Sequence, residues 1–482
     1  MASSVPAQVA QVENILMIGV DDLNVNVGAY INADAPYSAL GPNSWVQTPN
    51  IDALAARGMM FTRAYTNHTI CNPSRVSFMT GLYSETTGIL SNTHDPDAPG
   101  VGFVQNAVTF PEVYQNAGYY TAAHGKLEHG RYSGRLDLDE LTTVSRDAFT
   151  PDQVVAQGDG FNGRFAWKSV DTDNDSLFRD GIIADRVVAS INSQKDRDEP
   201  FFIHAGFNKP HEDWNAPKQF FDAHPASEAP LMPQGIDPSD QTRGVTEGRN
   251  GFPEISDAQE RQLVAAYAAA TSFMDSQVGR VLQTLEDNGL ADSTAIIFYS
   301  DHGFSLGEHD QFGKVNQFES TARIPFIIAA PGVTPGTSDS IVELVDMFPT
   351  LMEFSGLQAP HLLEGDSLLP ILQDPSLEVD GTALTVFGGN QDDGARNKSL
   401  TTTEYRYISY FNGTDALFHI DDLDETVDLS LDPSYSGVIA DLQQQLATVR
   451  QVTELTAVPE PASITLLMMM VFGVALRSRP ES

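Results

Sequence analysis

The residues in this chain that could do chemistry stand in a few short clusters. Asp21 and Asp22 are adjacent, Cys71 is followed by Arg75, Lys126 by His129, His211 closes a polar run, and Asp301 with His302 precedes Lys314. Neighbouring carboxylates repel, and a hard divalent cation is the usual remedy at a buried position. Asp21, Asp22 and Asp301 with the His302 imidazole make a donor set suited to an oxygen-preferring ion. Lys126, Lys314 and Arg75 are cations beside motif residues in an acid-rich chain, which points to an anionic substrate, while His129 and His211 can move protons. Taken jointly, the clusters describe metal-assisted hydrolysis of a tetrahedral oxyanion ester. Taken singly, each has a plain structural reading: a turn or cap, a hydrogen-bonded core histidine, a solvated surface charge.

Cys71 is the single cysteine of 482 residues. With no partner for an intramolecular disulfide, it is either a small buried residue or a chemical group. In "TICNPSRVSFMTG" Asn72 is a good N-cap and Pro73 suits a first helical position, which predicts a helix running to Gly81. Cys71 then lies at a positive helix end, where free backbone N–H groups favour an anion. Arg75, one turn on, can reach back to the same spot. A thiolate nucleophile is one reading, although thiol hydrolases need a histidine base.

Four of the clusters follow apolar runs of strand length. Asn14 to Val20 precedes Asp21 and Asp22; Tyr119 to Ala123 precedes Lys126 and His129; Phe201 to Phe207 precedes Lys209 and His211; Ala295 to Ser300 precedes Asp301 and His302. Such unalternated runs fit strands covered on both faces. Helices are predicted between them. "TPNIDALAARG" has Thr48 as cap, Pro49 at the first position and Gly58 as the stop, and "DAQERQLVAAYAAATSFMDSQVGRVLQTLEDNG" is long and amphipathic. The expected fold is α/β with a large, mostly parallel sheet between helices, in which ligands collect beyond the carboxyl ends of the strands. Clusters distant in sequence can meet there.

Composition narrows the partners. The chain has 41% hydrophobic residues, ordinary for a soluble globular protein, and 27 Lys+Arg against 65 Asp+Glu, a formal net charge of −38. That balance argues strongly against nucleic acid as a partner. It fits surface solvation in a salty habitat, and an anionic substrate would need a locally basic pocket.

"CNPSR" matches the C-x-P-S-R signature of the type I sulfatases, in which the cysteine is converted to formylglycine, and "VSFMTGLYSETTGI" continues that pattern. Through "NILMIGVDDL", "TPNIDALAARGMMFTRAY", "GKLEHG", "FNKPHEDWNAPKQF", "SDHGFSLGEHDQFGK" and "RIPFIIAAPG" the chain resembles the iduronate-2-sulfatase branch over roughly residues 13 to 435. The resemblance implies an alkaline-phosphatase-like sandwich with a small C-terminal antiparallel subdomain. It implies a sulfuric ester hydrolase acting on a sulfated carbohydrate such as a 2-O-sulfated uronic acid, and a maturation enzyme that makes the formylglycine. Asp21, Asp22, modified Cys71, Asp301 and His302 would ligate a metal, most often calcium; Arg75, Lys126 and His129 would order the formylglycine; His211 and Lys314 would hold the sulfate and help the leaving oxygen depart. Glu212 and Asp213, right after His211, are acidic neighbours that would disfavour a uronate carboxylate. Two rival readings are a phosphoesterase or phosphonate monoester hydrolase of the same superfamily, and an inactive protein that binds sulfated glycans.

Residues 1–378 are expected to form the catalytic domain and 379–456 the small subdomain. In the latter "TALTVFGG", "KSLTTTEYRYISYF" and "ALFHIDDL" read as short antiparallel strands and "SGVIADLQQQLATVRQVTEL" as a closing helix, with "DDLDETVDLSLDP" as a solvated acidic loop. Residues 457–482 form a tail. Its apolar run, Ala462 to Leu476, would be about 22 Å long as a helix against roughly 30 Å of hydrocarbon core. "VPEP", the apolar run and the arginines after it resemble the PEP-CTERM sorting signal of exported proteins in environmental Gram-negative bacteria. The expected location is therefore the cell envelope or outside, although the first residues carry no basic segment of a secretory signal.

Overall fold

Strand β1 (Asn14–Asp21) is buried along its whole length, because it has a strand on each side and a hydrophobic layer on each face. Ile15 and Met17 point into one layer, with Phe78, Phe110 and Phe348. Leu16, Ile18 and Val20 point into the other, with Ile183, Met274 and Val278. The unalternated apolar sequence is what this two-sided burial requires. In this computed structural model the described residues are 12–31, 45–95, 107–129, 136–160, 164–232, 255–377, 379, 381–388 and 396–449.

The main sheet has eight strands in the order β13 (Gly336–Glu343), β2 (Met59–Tyr65), β12 (Arg323–Ala329), β9 (Thr294–Ser300), β1, β7 (Phe201–Pro210), β3 (Tyr120–Gly125) and β4 (Glu140–Thr142). Only β12 runs against the rest. Helices Asp257–Asp287, Arg179–Gln194 and Pro49–Arg57 cover one face, and Cys71–Thr80, Phe110–Asn116 and Met347–Ser355 the other. The helix at Pro49 starts and stops as its sequence predicts, with Thr48 before it and Gly58 after it. Strand β7 outruns its apolar segment: Asn208 and Lys209 donate their N–H groups to the Asp180 carboxylate at 2.8 and 2.9 Å, and Pro210 pairs with Asp21.

Three smaller sheets complete the fold. Strands β5 (Val154–Gly158), β6 (Trp167–Val170) and β8 (Trp214–Pro217) form one, and β10 (Ser305–Leu306) with β11 (Phe312–Gly313) a short ribbon. Strands β14 (Ala383–Phe387), β15 (Asn397–Thr401), β16 (Tyr405–Ser409) and β17 (Asp415–His419) make an antiparallel C-terminal meander. The meander is pinned to the segment just before Cys71, since Val386 N–H donates to Asn67 O at 3.0 Å and Thr385 Oγ1 to Thr66 O at 2.6 Å. The closing helix is Ser436–Ala447. The expected boundaries at 378 and 457, like the whole tail from 457, lie outside the described residues.

Two expectations are corrected. The helix at the cysteine begins at Cys71, with Ile70 as its N-cap; Asn72 does not cap it, because its amide donates instead to Ser91 O and His94 O, both at 2.9 Å. The acidic run after β17 is not simply a solvated loop. Glu425 is buried, accepts from Glu319 N–H at 2.8 Å and pairs with Arg406 at 2.9 Å.

Candidate active site

The carboxyl ends of β1, β3, β7, β9 and β2 converge, and each delivers residues to one place. From β1 come Asp21 and Asp22, both buried. Asp22 has a positive φ of 67°, a left-handed conformation that aspartate tolerates better than most residues but that still costs about 1 kcal/mol. It turns the chain so that adjacent carboxylates face the same centre. From β9 come Asp301 and His302, also buried. Strand β2 leads through Thr66–Ile70 into the helix carrying Cys71, whose side chain sits at that helix's positive end.

Ligand atoms of Asp21, Cys71, Asp301 and His302 lie within 4.8 Å of one another, and so do those of Asp21, Asp22, Cys71 and His211. Each carboxylate has its own cation. Lys126 Nζ pairs with Asp21 Oδ2, Lys314 Nζ donates to Asp22 Oδ1 at 2.6 Å, and Arg75 Nε donates to Asp301 Oδ2 at 2.9 Å. Arg75 is wholly buried and also donates to Lys126 O at 2.6 Å, locking the helix of Cys71 to the loop after β3. The thiol receives Lys314 Nζ at 3.0 Å and lies 3.3 Å from His302 Nε2. His302 Nδ1 faces Gly303 O at 3.0 Å, so that nitrogen donates and Nε2 is turned to the sulfur.

Charge follows from these contacts. Burial pushes the Cys71 thiol up, but Lys126 and Lys314 overcome it and hold the group well below the usual thiol range. For Asp21 burial is again opposed, by Lys126, His211 and Arg75, and the net effect is well below the usual carboxylate range. His302 is pushed up to about 9, since Asp301 and Cys71 outweigh its burial. Burial pushes Asp301 up to about 6, which Arg75 and His302 oppose only in part.

The donor set fits a hard divalent cation: three carboxylates and an imidazole converge, and Asp22 Oδ2 is buried without a hydrogen-bond partner. Not every expected residue arrives the same way. His211 reaches the centre, its Nδ1 held by Glu212 O at 2.6 Å. His129 makes no hydrogen bond to the cluster among the described residues, and its Nδ1 is buried without a partner. Glu212 accepts from Phe165 N–H at 3.0 Å and pairs with Arg164 at 3.2 Å. Sequence reasoning missed Thr66 and Ser74, whose hydroxyls donate to Asp301 O at 2.7 and 2.6 Å and fix the turn after β9. Serine and threonine at such positions look like ordinary helix and loop residues, and only the packing of the segment after β2 and the helix of Cys71 against the turn after β9 gives them a role.

Residues 13–357 match the family model described as sulfatase, and residues 307–452 match one described as N-sulphoglucosamine sulphohydrolase, C-terminal. A sulfatase of Formosa agariphila is 31% identical over 424 residues, covering 84% of this chain and 80% of that protein. Human iduronate 2-sulfatase is 29% identical over 397 residues, covering 72% and 70%. The crystal structure of a phosphonate monoester hydrolase of Agrobacterium radiobacter shares the fold, with a TM-score of 0.75 at 20% identity, over 91% of this chain and 95% of that one.

Proposed function

The chain belongs to the sulfatase family, and we propose that it removes an O-sulfate from a sulfated carbohydrate, at a 2-O-sulfated uronic acid or a related polysaccharide sugar. In this reading Cys71 is matured to formylglycine and a calcium ion is held by Asp21, Asp22, Asp301 and His302. The observation that carries it is the setting of Cys71: a buried side chain at a helix N-terminus, touched by Lys314, facing His302 and lying among three carboxylates. When present, the hydrated aldehyde supplies two hydroxyls on one carbon and the divalent ion supplies positive charge for the sulfate oxygens.

The chain's own groups do the rest. Lys314 and Lys126 place ammonium charge beside the side chain that meets sulfur and so compensate the sulfate oxygens, in a buried setting where such charges act strongly. Arg75, bonded to Asp301 and to Lys126 O, keeps the attacking residue and the carboxylates in register. With His211 Nδ1 donating to Glu212 O, Nε2 is the nitrogen left to face the ester oxygen as it departs. With Glu212 paired to Arg164, a uronate ring can approach His211 without facing that carboxylate.

The test compares an aryl sulfate, an aryl phosphate and a phosphonate monoester on protein made with a formylglycine-generating enzyme, alongside mass spectrometry of the peptide containing Cys71. Conversion of Cys71 with sulfate turnover at least about a hundredfold above the other esters is expected. Faster phosphonate turnover would install the phosphonate hydrolase reading, and an unconverted Cys71 without turnover the glycan-binding one. Among the described residues no helix is long and apolar enough to cross a membrane. We assign export and envelope sorting to the tail; deleting residues 458–482 should release active enzyme from membranes, and unchanged membrane association would remove that assignment.

A further inference from the structure

A second place in the molecule concentrates positive charge. A cavity of about 380 Å³ is lined by Arg146, Lys168, Arg179 and Lys209, with Phe149 and Asp213 on its walls. In a chain of net charge −38 this grouping is unusual. Most other lysines and arginines of the described residues are neutralised locally, such as Arg57 by Glu286, Arg280 by Asp185, and Arg396 and Lys398 by Glu85. The four in this cavity have no carboxylate at ion-pair distance among the described residues. Asp147 and Asp213 also border the cavity and, with Asp180 beside it, compensate Lys209 in part; Asp147 further accepts from Arg179 N–H at 2.9 Å and from the Asn215 amide at 2.9 Å. Lys209 Nζ donates to Asp213 O and serves as a wall. Arg146 and Lys168 are left with charge to offer, and Arg179 with the guanidinium nitrogens beyond Nε, which donates to Val144 O at 3.2 Å.

The cavity lies at the same end of the sheet as the catalytic centre. Lys209, on its wall, is two residues before His211 in the chain, across a turn closed by His211 N–H donating to Asn208 O at 2.9 Å. Its side is the first residue of the helix Arg179–Gln194, whose N-terminus adds positive potential. That end of the helix is tied to the end of β7 by Asp180. Phe149 adds a flat apolar surface over which Lys168 Nζ lies at 5.8 Å from the ring centroid, a combination that suits a sugar ring carrying a negative group.

Resting on the sulfatase reading above, we propose that this cavity is a subsite for a second anionic group, a sulfate or a uronate carboxylate, on a neighbouring sugar of the chain whose sulfate ester lies at Cys71. The enzyme then prefers an extended polyanionic oligosaccharide to an isolated sulfated sugar.

The double variant Arg146→Ala/Lys168→Ala removes two side chains that make no ion pair and leaves the catalytic centre untouched. With heparin octasaccharides as substrate, KM should rise about tenfold with kcat nearly unchanged, as two lost charge contacts imply; its salt dependence should flatten. With 4-nitrophenyl sulfate both constants should stay as in the wild type. An unchanged octasaccharide KM, or equal losses on both substrates, would overturn the subsite. Competition by a sulfate-free oligouronate separates the two sources of charge: inhibition lost in the variant identifies carboxylate recognition, and no inhibition of either protein identifies sulfate. If the wild type releases sulfate from neither substrate, it is the sulfatase reading that fails. Calorimetric binding of the octasaccharide then decides the subsite by itself, with weaker binding by the variant supporting it and equal or absent binding overturning it.

Discussion

Two buried carboxylate clusters sit at the same end of the main sheet, and they are built on opposite principles. At the centre, Asp21, Asp22 and Asp301 each face a lysine or arginine, and Asp22 still has an oxygen with no partner. At the β13 edge, Glu343 and Asp346 are surrounded by neutral donors. Glu343 accepts from the Asn67 amide at 2.9 Å, Leu384 N–H at 2.7 Å and Tyr83 OH at 2.7 Å; Asp346 accepts from Glu343 N–H at 2.8 Å and Asp366 N–H at 2.9 Å. No lysine or arginine pairs with either among the described residues. Burial and repulsion by Asp346 push Glu343 up to about 8, and burial pushes Asp346 up to about 7; at the centre burial also pushes Asp301 up to about 6, but Asp21 is held well below the usual carboxylate range by its cations. Burial alone does not mark a reactive carboxylate. A cluster of charges that lacks full satisfaction can take a cation and an anion; one saturated by neutral donors is structure.

The strongest way to break this contrast is to remove a central carboxylate. Asp21→Ala or Asp301→Ala should lose bound calcium and lower turnover of an aryl sulfate by about 10³ or more, with an unchanged circular dichroism spectrum. A variant that kept both metal and rate would show the centre to be as structural as the edge. Next in size is Lys314→Ala, which takes away the ammonium on Cys71 and Asp22; kcat should drop by about 10²–10³. Near-normal kinetics would remove Lys314 from the site.

The smallest effect is expected at the edge, and it appears in stability. Glu343→Gln should leave turnover within about twofold. In the wild type the folded state keeps its protons on Glu343 and Asp346 to higher pH than the unfolded chain does. Stability is therefore full below about pH 4, the unfolded carboxyl range, and is lost as pH rises towards 8. The loss should amount to several kcal/mol, and Glu343→Gln should remove much of it. Urea midpoints at pH 5, 6.5 and 8 read this directly. A strong loss of turnover in this variant would collapse the distinction between the clusters.

Much of the centre was legible from residue types alone, because strands buried on both faces have continuous apolar sequences and polar residues must stop them. Asp21, Asp301 and His211 could be assigned to strand ends, and a parallel sheet brings such ends together. The helix starts at Cys71, two residues before the position its sequence predicts, since nothing in "CNPSR" shows that Asn72 is needed to hold the Ser91–His94 loop. The basic cavity could not be read either. Arg146, Lys168 and Arg179 come from a loop, a short strand and a helix start, and only the packing of β6 and β8 over the end of β7 gathers them. Glu425 and Arg406 show the same limit, as a charge that looks solvated in sequence is buried by a partner 19 positions away.

Cys71 is completely shielded in the fold, and part of that shield comes from His302 and Lys314, more than 200 residues further along the chain. During synthesis, at roughly 5–20 residues per second, the thiol therefore emerges roughly 10–50 s before the residues that will close over it. A modifying enzyme that must reach the sulfur has that interval, or a later unfolded stage, in which to work. Under the maturation proposed for Cys71, the rate at which the downstream half of the chain is made and folded would limit how much of the protein becomes active.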